Sequence, residues 1–184
     1  QKLTVEQSFA EHSRLTTKVL ELMPYILESS GLAYDPAAAS YHLIIAAYQD
    51  LPRLTEILAL LRDNAALLTL LPPDVQASQL SLLLNRHQNY LERYQQPLTD
   101  ASGHLISAHR LEPDTFAKVE QQKKQLLAQL DSFVQQAANI EQIRRDGKSW
   151  QQSADQLLRD FTGFNQSLSP FLTDLLAQRL SADN

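Results

Sequence analysis

Apolar side chains recur along this chain at alternating gaps of three and four, and that rhythm predicts helices nearly throughout. Val5, Phe9, His12, Leu15, Val19, Leu22 and Ile26 mark one face of a first segment, residues 3–30. Pro24 lies inside it, where a missing backbone donor predicts a kink, and Gly31 follows as a left-handed cap. The second segment, 36–71, opens on Asp35-Pro36, a cap residue followed by proline at the first helical position. A second start signal, Asp50-Leu51-Pro52, predicts a bend or pause there, after which Leu54, Ile57, Leu58, Leu61, Ala65 and Leu68 form a wide apolar face.

Three more segments keep the rhythm. Residues 74–107 carry Leu80, Leu84, His87, Leu91, Tyr94, Leu98, Ala101 and Leu105, interrupted at Pro97 and weakened at Gly103. Residues 113–146 carry Phe116, Val119, Lys123, Leu126, Leu130, Phe133, Ala137 and Ile140, and Asp146-Gly147 is the expected stop. Residues 149–181 carry Trp150, Ala154, Leu157, Phe161, Phe164, Leu168, Phe171 and Leu175. Sustained seven-residue spacing predicts left-handed supercoiling, and short connections make neighbouring rods antiparallel. The expected fold is all-α: one domain over 1–184, an elongated up-and-down antiparallel bundle, four-helix-bundle-like or two stacked modules. Five alternating rods would leave the termini at opposite ends, whereas a domain inserted between two membrane helices needs both at one end; for such a domain a further helix before Gln1, or a chain reversal at Pro52 or Pro97, is expected.

Composition narrows the function classes. The net charge of -5 argues against nucleic acid as main partner. The absence of cysteine excludes disulfides, thiolate catalysis and cysteine-ligated zinc. Four glycines in 184 residues favour helix over sheet. No phosphate loop, Gly-x-Ser-x-Gly, His-Glu-x-x-His or di-iron Glu-x-x-His pair is present, so no catalytic residue, metal or cofactor is assigned and the chain does not read as an enzyme.

The run SFAEHSRLTTKVLELMPYILESSGLAYDPAAASYHLI and the following QDLPRLTEILALLRDNAALL resemble the extracytoplasmic sensor region of bacterial transmembrane receptors. Such regions occur in methyl-accepting chemotaxis proteins, sensor histidine kinases and receptor-type diguanylate cyclases. The carrying features are SSGL-x-YDP-x-x-x-SYHLI (Ser29 to Ile45) and DLP-x-L-x-E-x-L-x-x-LR (Asp50 to Arg62), with the closing FNQSLSPFLTDLLAQRL similar to a stalk entering a membrane helix. The chain departs from the usual Arg-Gly turn, having Arg62-Asp63-Asn64 instead. The resemblance implies a periplasmic domain of an inner-membrane protein, anchored by flanking helices, binding a small molecule or a periplasmic binding protein. It also implies a homodimer and a relayed displacement of the last rod, Trp150 to Leu180. A cytoplasmic adaptor that binds a partner helix is the alternative reading.

The residues themselves nominate a binding site. Arg53, in the first turn after Pro52, would sit beside the unpaired donors of a helix start, a natural anion site. Arg62 lies half a turn away around the same helix, while Arg86 and Arg93 share a face near His87 and Tyr90. One of these pairs is expected to hold a carboxylate, with Tyr41, Tyr48 or Tyr90 lending a hydroxyl. His12, His42, His87, His104 and His109 are scattered, and His87 on its apolar seam reads as a core histidine. Lys123 interrupts its seam, to snorkel outward or to set the register of a dimer.

Overall fold

A computed structural model describes residues 4–34 and 38–182. Among them there is no strand, and seven α-helices make five rods: α1 (Val5–Ser29), α2 (Ala38–Ile45) continuing through a π-helical turn (Ala46–Asp50) into α3 (Leu51–Leu70), α4 (Ala77–Arg93) with α5 (Gln95–Leu111), α6 (Pro113–Ala138) and α7 (Ile140–Ala182). Leu3 and the start signal Asp35-Pro36 lie outside the described residues.

Prolines and caps fix the breaks. Thr4 and Gln7 close a capping box at the start of α1, which runs on through Pro24. Gly31 turns the chain at φ 76°, the left-handed conformation expected of it. Pro52 does not start a new helix. Its ring would collide with the carbonyl of Tyr48 in a regular α-turn, and the preceding turn widens instead, with the Leu51 N–H reaching back to the Ala46 carbonyl. The run from Ala38 to Leu70 is therefore one rod of roughly 50 Å. Pro97 acts differently: it sits in the first turn of α5, where its missing N–H costs nothing, and Tyr94 (φ -69°, ψ -23°) joins α4 to α5.

The expected stop at Asp146-Gly147 is displaced. The break falls at Asn139 (φ -98°, ψ 82°), whose side-chain oxygen accepts the Gln142 N–H and so caps α7. Asp146 survives as a non-helical kink (φ -115°, ψ 28°) inside α7.

One continuous core binds the rods. α3 lies between α7 and α4, the π-turn and α2 lie against α5, and α6 lies against α7. Leu43, Ile44, Leu54, Leu58, Leu61, Leu68, Phe116, Leu130 and Leu168 are fully buried. Each such side chain contributes about 1.5–3 kcal/mol of transfer free energy. Phe133 stacks on Trp150 at 5.2 Å between ring centroids, locking α6 to the start of α7. Polar contacts add register: Asn64, fully buried, donates to the Leu83 carbonyl (3.0 Å), and His87 donates from Nε2 to the Ala137 carbonyl (2.7 Å). Lys123 snorkels only as far as Glu120, an ion pair of 2.6 Å that holds the Glu120 carboxyl below its ordinary range.

α1 is the exception. Among the described residues of α1 only Leu27 is buried; Phe9, Leu20 and Met23 are half-buried, and Leu15, Val19, Leu22 and Ile26 are exposed. The periodic face read from the sequence is therefore split: Phe9 and His12 border a cleft with α3, whereas Leu15, Val19, Leu22 and Ile26 are exposed.

Candidate functional site

α1 leans on α3 and the π-turn and faces the α4–α5 junction across a groove of about 630 Å³, lined by Arg14, Leu20, Glu21, Arg53, Glu56, Tyr90 and Arg93 among others. Each wall follows from the sequence. The π-turn sets the rotation of α3, so Arg53, Glu56, Ile57 and Leu60 fall on the face towards α1. Tyr90, Arg93 and Pro97, spaced three and four apart, line the groove from the α4–α5 junction.

The electrostatics are those of a polar cleft with unused charge. Arg14 is tied to Glu11 on its own helix at 2.7 Å. Among the described residues neither Arg53 nor Arg93 forms an ion pair, and both are exposed. Burial pushes the Glu56 carboxyl above its ordinary range, against the opposing pull of His12. Burial likewise raises the Tyr90 phenol, which Arg86 and Arg93 pull partly back; the phenol is thus a neutral donor. Three arginines, two of them without an ion pair, one tyrosine and two glutamates line one space.

No protein-family model, curated protein or solved structure matches this chain. The functional reading therefore rests on this geometry and on the sequence features above.

Of the residues nominated from sequence, the groove collects Arg53, Tyr90 and Arg93. The pairing is not the expected one: Arg53 meets Arg93 of another rod rather than Arg62, and Arg86, half-buried on α4, acts on Tyr90 without lining the groove. Arg62 is spent elsewhere, bonded to Asp63 at 2.6 Å and to Asp155 of α7 at 2.8 Å. Tyr41 sits at the surface edge-on to His42, and Tyr48 packs against the core. Arg53 has no helix start beside it, since the helix is continuous through Pro52.

Sequence reasoning missed a second polar cluster. Asp50 ends the π-turn at 3% exposure, and its Oδ2 accepts from His104 Nδ1 of α5 at 2.7 Å. The His42 ring lies 5.5 Å from that of His104, and its buried Nδ1 has no hydrogen-bond partner. Burial lowers the His42 imidazole, and the facing His104 lowers it further. Burial raises the Asp50 carboxyl despite the His104 bond, with Asp100 adding to the rise and Arg53 opposing it. Among the described residues no group of three or more metal-ligating side chains is assembled. The π-turn, a wide turn often found at functional positions, thus carries Asp50 on one side and leads to Arg53 on the other. The only local signal was the Asp50-Leu51-Pro52 triplet; nothing local connects it to His104.

The remaining clefts are quieter. The one between α6 and α7 is lined by glutamines with Arg159 and Asp160, which Gln156 satisfies from both sides.

Proposed function

We propose that this chain is the extracytoplasmic sensing domain of a bacterial transmembrane receptor, and that it binds a small carboxylate-bearing molecule in the groove beneath α1. One observation carries the reading: Arg53 and Arg93, from rods far apart in sequence, line one groove without ion-pair partners among the described residues, together with Tyr90. An unpaired guanidinium fork matches a carboxylate in shape and charge, and such charge-assisted bonds are about twice as strong as neutral ones.

The groove also suits relay. One wall is α1, which is held to the bundle by few buried side chains; the other is α3, which packs along α7. A ligand bridging the two changes the setting of α1 against α7, the last rod. Packed helices respond by discrete shifts, not continuous deformation. The sequence resemblance to receptor sensor regions, with its periplasmic location and flanking membrane helices, agrees with this use. Among the described residues no helix is long and apolar enough to cross a membrane.

The test is a thermal-shift screen of mono-, di- and tricarboxylic metabolites against the wild type and the Arg53→Ala/Arg93→Ala double variant. A ligand at a hundred times its Kd stabilises the fold by about 2.7 kcal/mol. The reading requires at least one carboxylate that raises the melting point of the wild type and not of the double variant. If every carboxylate shifts both proteins alike, or shifts neither, the reading fails.

A further inference from the structure

The charges lining the groove beneath α1 cancel. Arg14 is matched by Glu11 of its own helix. Among the described residues the other charged groups of the lining, Arg53, Arg93, Glu21 and Glu56, form no ion pair. Two guanidinium charges thus face two carboxylates, and near neutral pH they sum to zero. A ligand carboxylate held by the arginines adds a negative charge that nothing in the lining offsets. We propose that a carboxylate enters this groove together with one proton, which Glu56 takes up. Proton uptake at Glu56 rests on the carboxylate site proposed above and makes its affinity depend on pH.

The proton has one well-placed acceptor. Glu21 is exposed on α1, where water screens its charge. Glu56 is half-buried on α3, and its carboxyl has no hydrogen bond among the described residues. It stands one turn from Arg53 along the same helix, and its charge opposes ionisation of Tyr90 on α4. It shares the groove lining with both arginines, so a carboxylate bound by them comes to rest near it. Two carboxylates in one half-buried site do not both keep their charge easily, and one of them takes up a proton. Burial already favours the neutral form of Glu56. Protonation turns a repelling charge into a hydrogen-bond donor for the ligand.

The other groups facing Glu56 do not supply the balance. Asp63, further along α3, repels it and is itself bonded to Arg62 at 2.6 Å. His12 of α1 attracts it, but that imidazole is exposed and lines a different cleft. Tyr90 is a neutral phenol, and the α5 side of the groove offers only Gln96 and Pro97, which carry no charge. An ammonium group on the ligand would offset the charge instead, by pairing with ionised Glu56. Burial disfavours that ionised form, which makes the proton the preferred partner.

The test is calorimetric titration of the whole chain with pyruvate, with tartrate and with the carboxylate that most raises its melting point. Each is run in two buffers of unequal ionisation enthalpy, so that the difference in heat counts the protons taken up beyond the ligand's own. The wild type should take up a fraction of a proton per ligand that grows from about pH 8 to pH 6, with affinity rising by up to about tenfold per pH unit. Glu56→Gln should take up none and should bind at pH 8 at least as tightly as the wild type. His12→Gln and Glu21→Gln, both at exposed positions, should keep the uptake, which assigns the proton even where Glu56→Gln fails to fold. Binding by the wild type with no proton uptake at any pH overturns the proposal and leaves the carboxylate site standing, the result expected of a ligand whose ammonium pairs with Glu56. Uptake that persists in Glu56→Gln, or that His12→Gln or Glu21→Gln abolishes, overturns it too. Absence of binding by all three carboxylates removes the site itself, and the proton with it.

Discussion

His104 reaches across from α5 and holds Asp50, its Nδ1 lying 2.7 Å from a carboxylate oxygen that water scarcely touches. The bond joins the facing helix to the π-helical turn between α2 and α3. Burial nevertheless outweighs it, since the Asp50 carboxyl stands above its ordinary range. A raised carboxyl favours the neutral acid in the fold, so its contribution is most favourable below about pH 4 and is lost as pH rises through the raised value. Asp50→Asn keeps an acceptor for His104 and removes the charge. The variant should match the wild type near pH 4 and gain relative stability as pH rises to 8, as urea unfolding at both values would register.

The histidines impose the opposite slope. His42 and His87 are both lowered by burial, so the fold favours their neutral forms; their contribution is complete above about pH 6.5 and fades on acidification. The melting temperature should fall between pH 7 and pH 5. In His42→Gln the fall should be smaller, with His87 still contributing. An unchanged pH slope in that variant would rule out His42 as a contributor.

Arg62 ties α3 to α7 through Asp155, with its guanidinium about a third exposed. Partial exposure screens the pair, so Arg62→Ala and Asp155→Ala should each cost about 1 kcal/mol. Because they remove the same contact, the double variant should cost clearly less than their sum. Chemical denaturation of the four proteins measures that coupling.

Glycines give a structural check on α7. A Cβ at Gly103 or Gly163 meets nothing within 4 Å, and both lie inside helices, so alanine there should stabilise by about 0.5–1 kcal/mol. At Gly147 the added Cβ stands 3.1 Å from the Thr69 methyl, whose side chain is fixed by a 2.7 Å bond to the Ala66 carbonyl. Gly147→Ala should gain nothing or lose stability. A scan in which all three behave alike would contradict the close approach of α3 and α7 there.

What the chain discloses by reading alone divides along sequence distance. The seam from Leu126 to Ala137 and the one from Trp150 to Leu168 are buried as their spacing implies, because a helix displays its own periodicity locally. The capping of α7 by Asn139 was legible in principle, but Asp146-Gly147 carried the stronger stop signal. Periodicity marks a face as apolar without saying what faces it, and Leu15, Val19, Leu22 and Ile26 of the α1 seam are exposed. Arg53 and Arg93, forty residues apart, and Asp50 and His104, fifty-four apart, meet only through packing of different rods. Pairing by spacing along one helix could not have found either.

Calorimetric titration of the best-stabilising carboxylate into the wild type, Arg53→Ala, Arg93→Ala and Arg62→Ala tests the groove most directly. Losing one unpaired guanidinium should weaken binding about tenfold or more at Arg53 and at Arg93, in keeping with the strength of charge-assisted bonds. Arg62→Ala, whose charge is committed to Asp63 and Asp155, should bind as the wild type does. Equal affinity across all four proteins, or a loss confined to Arg62→Ala, would contradict a carboxylate site beneath α1.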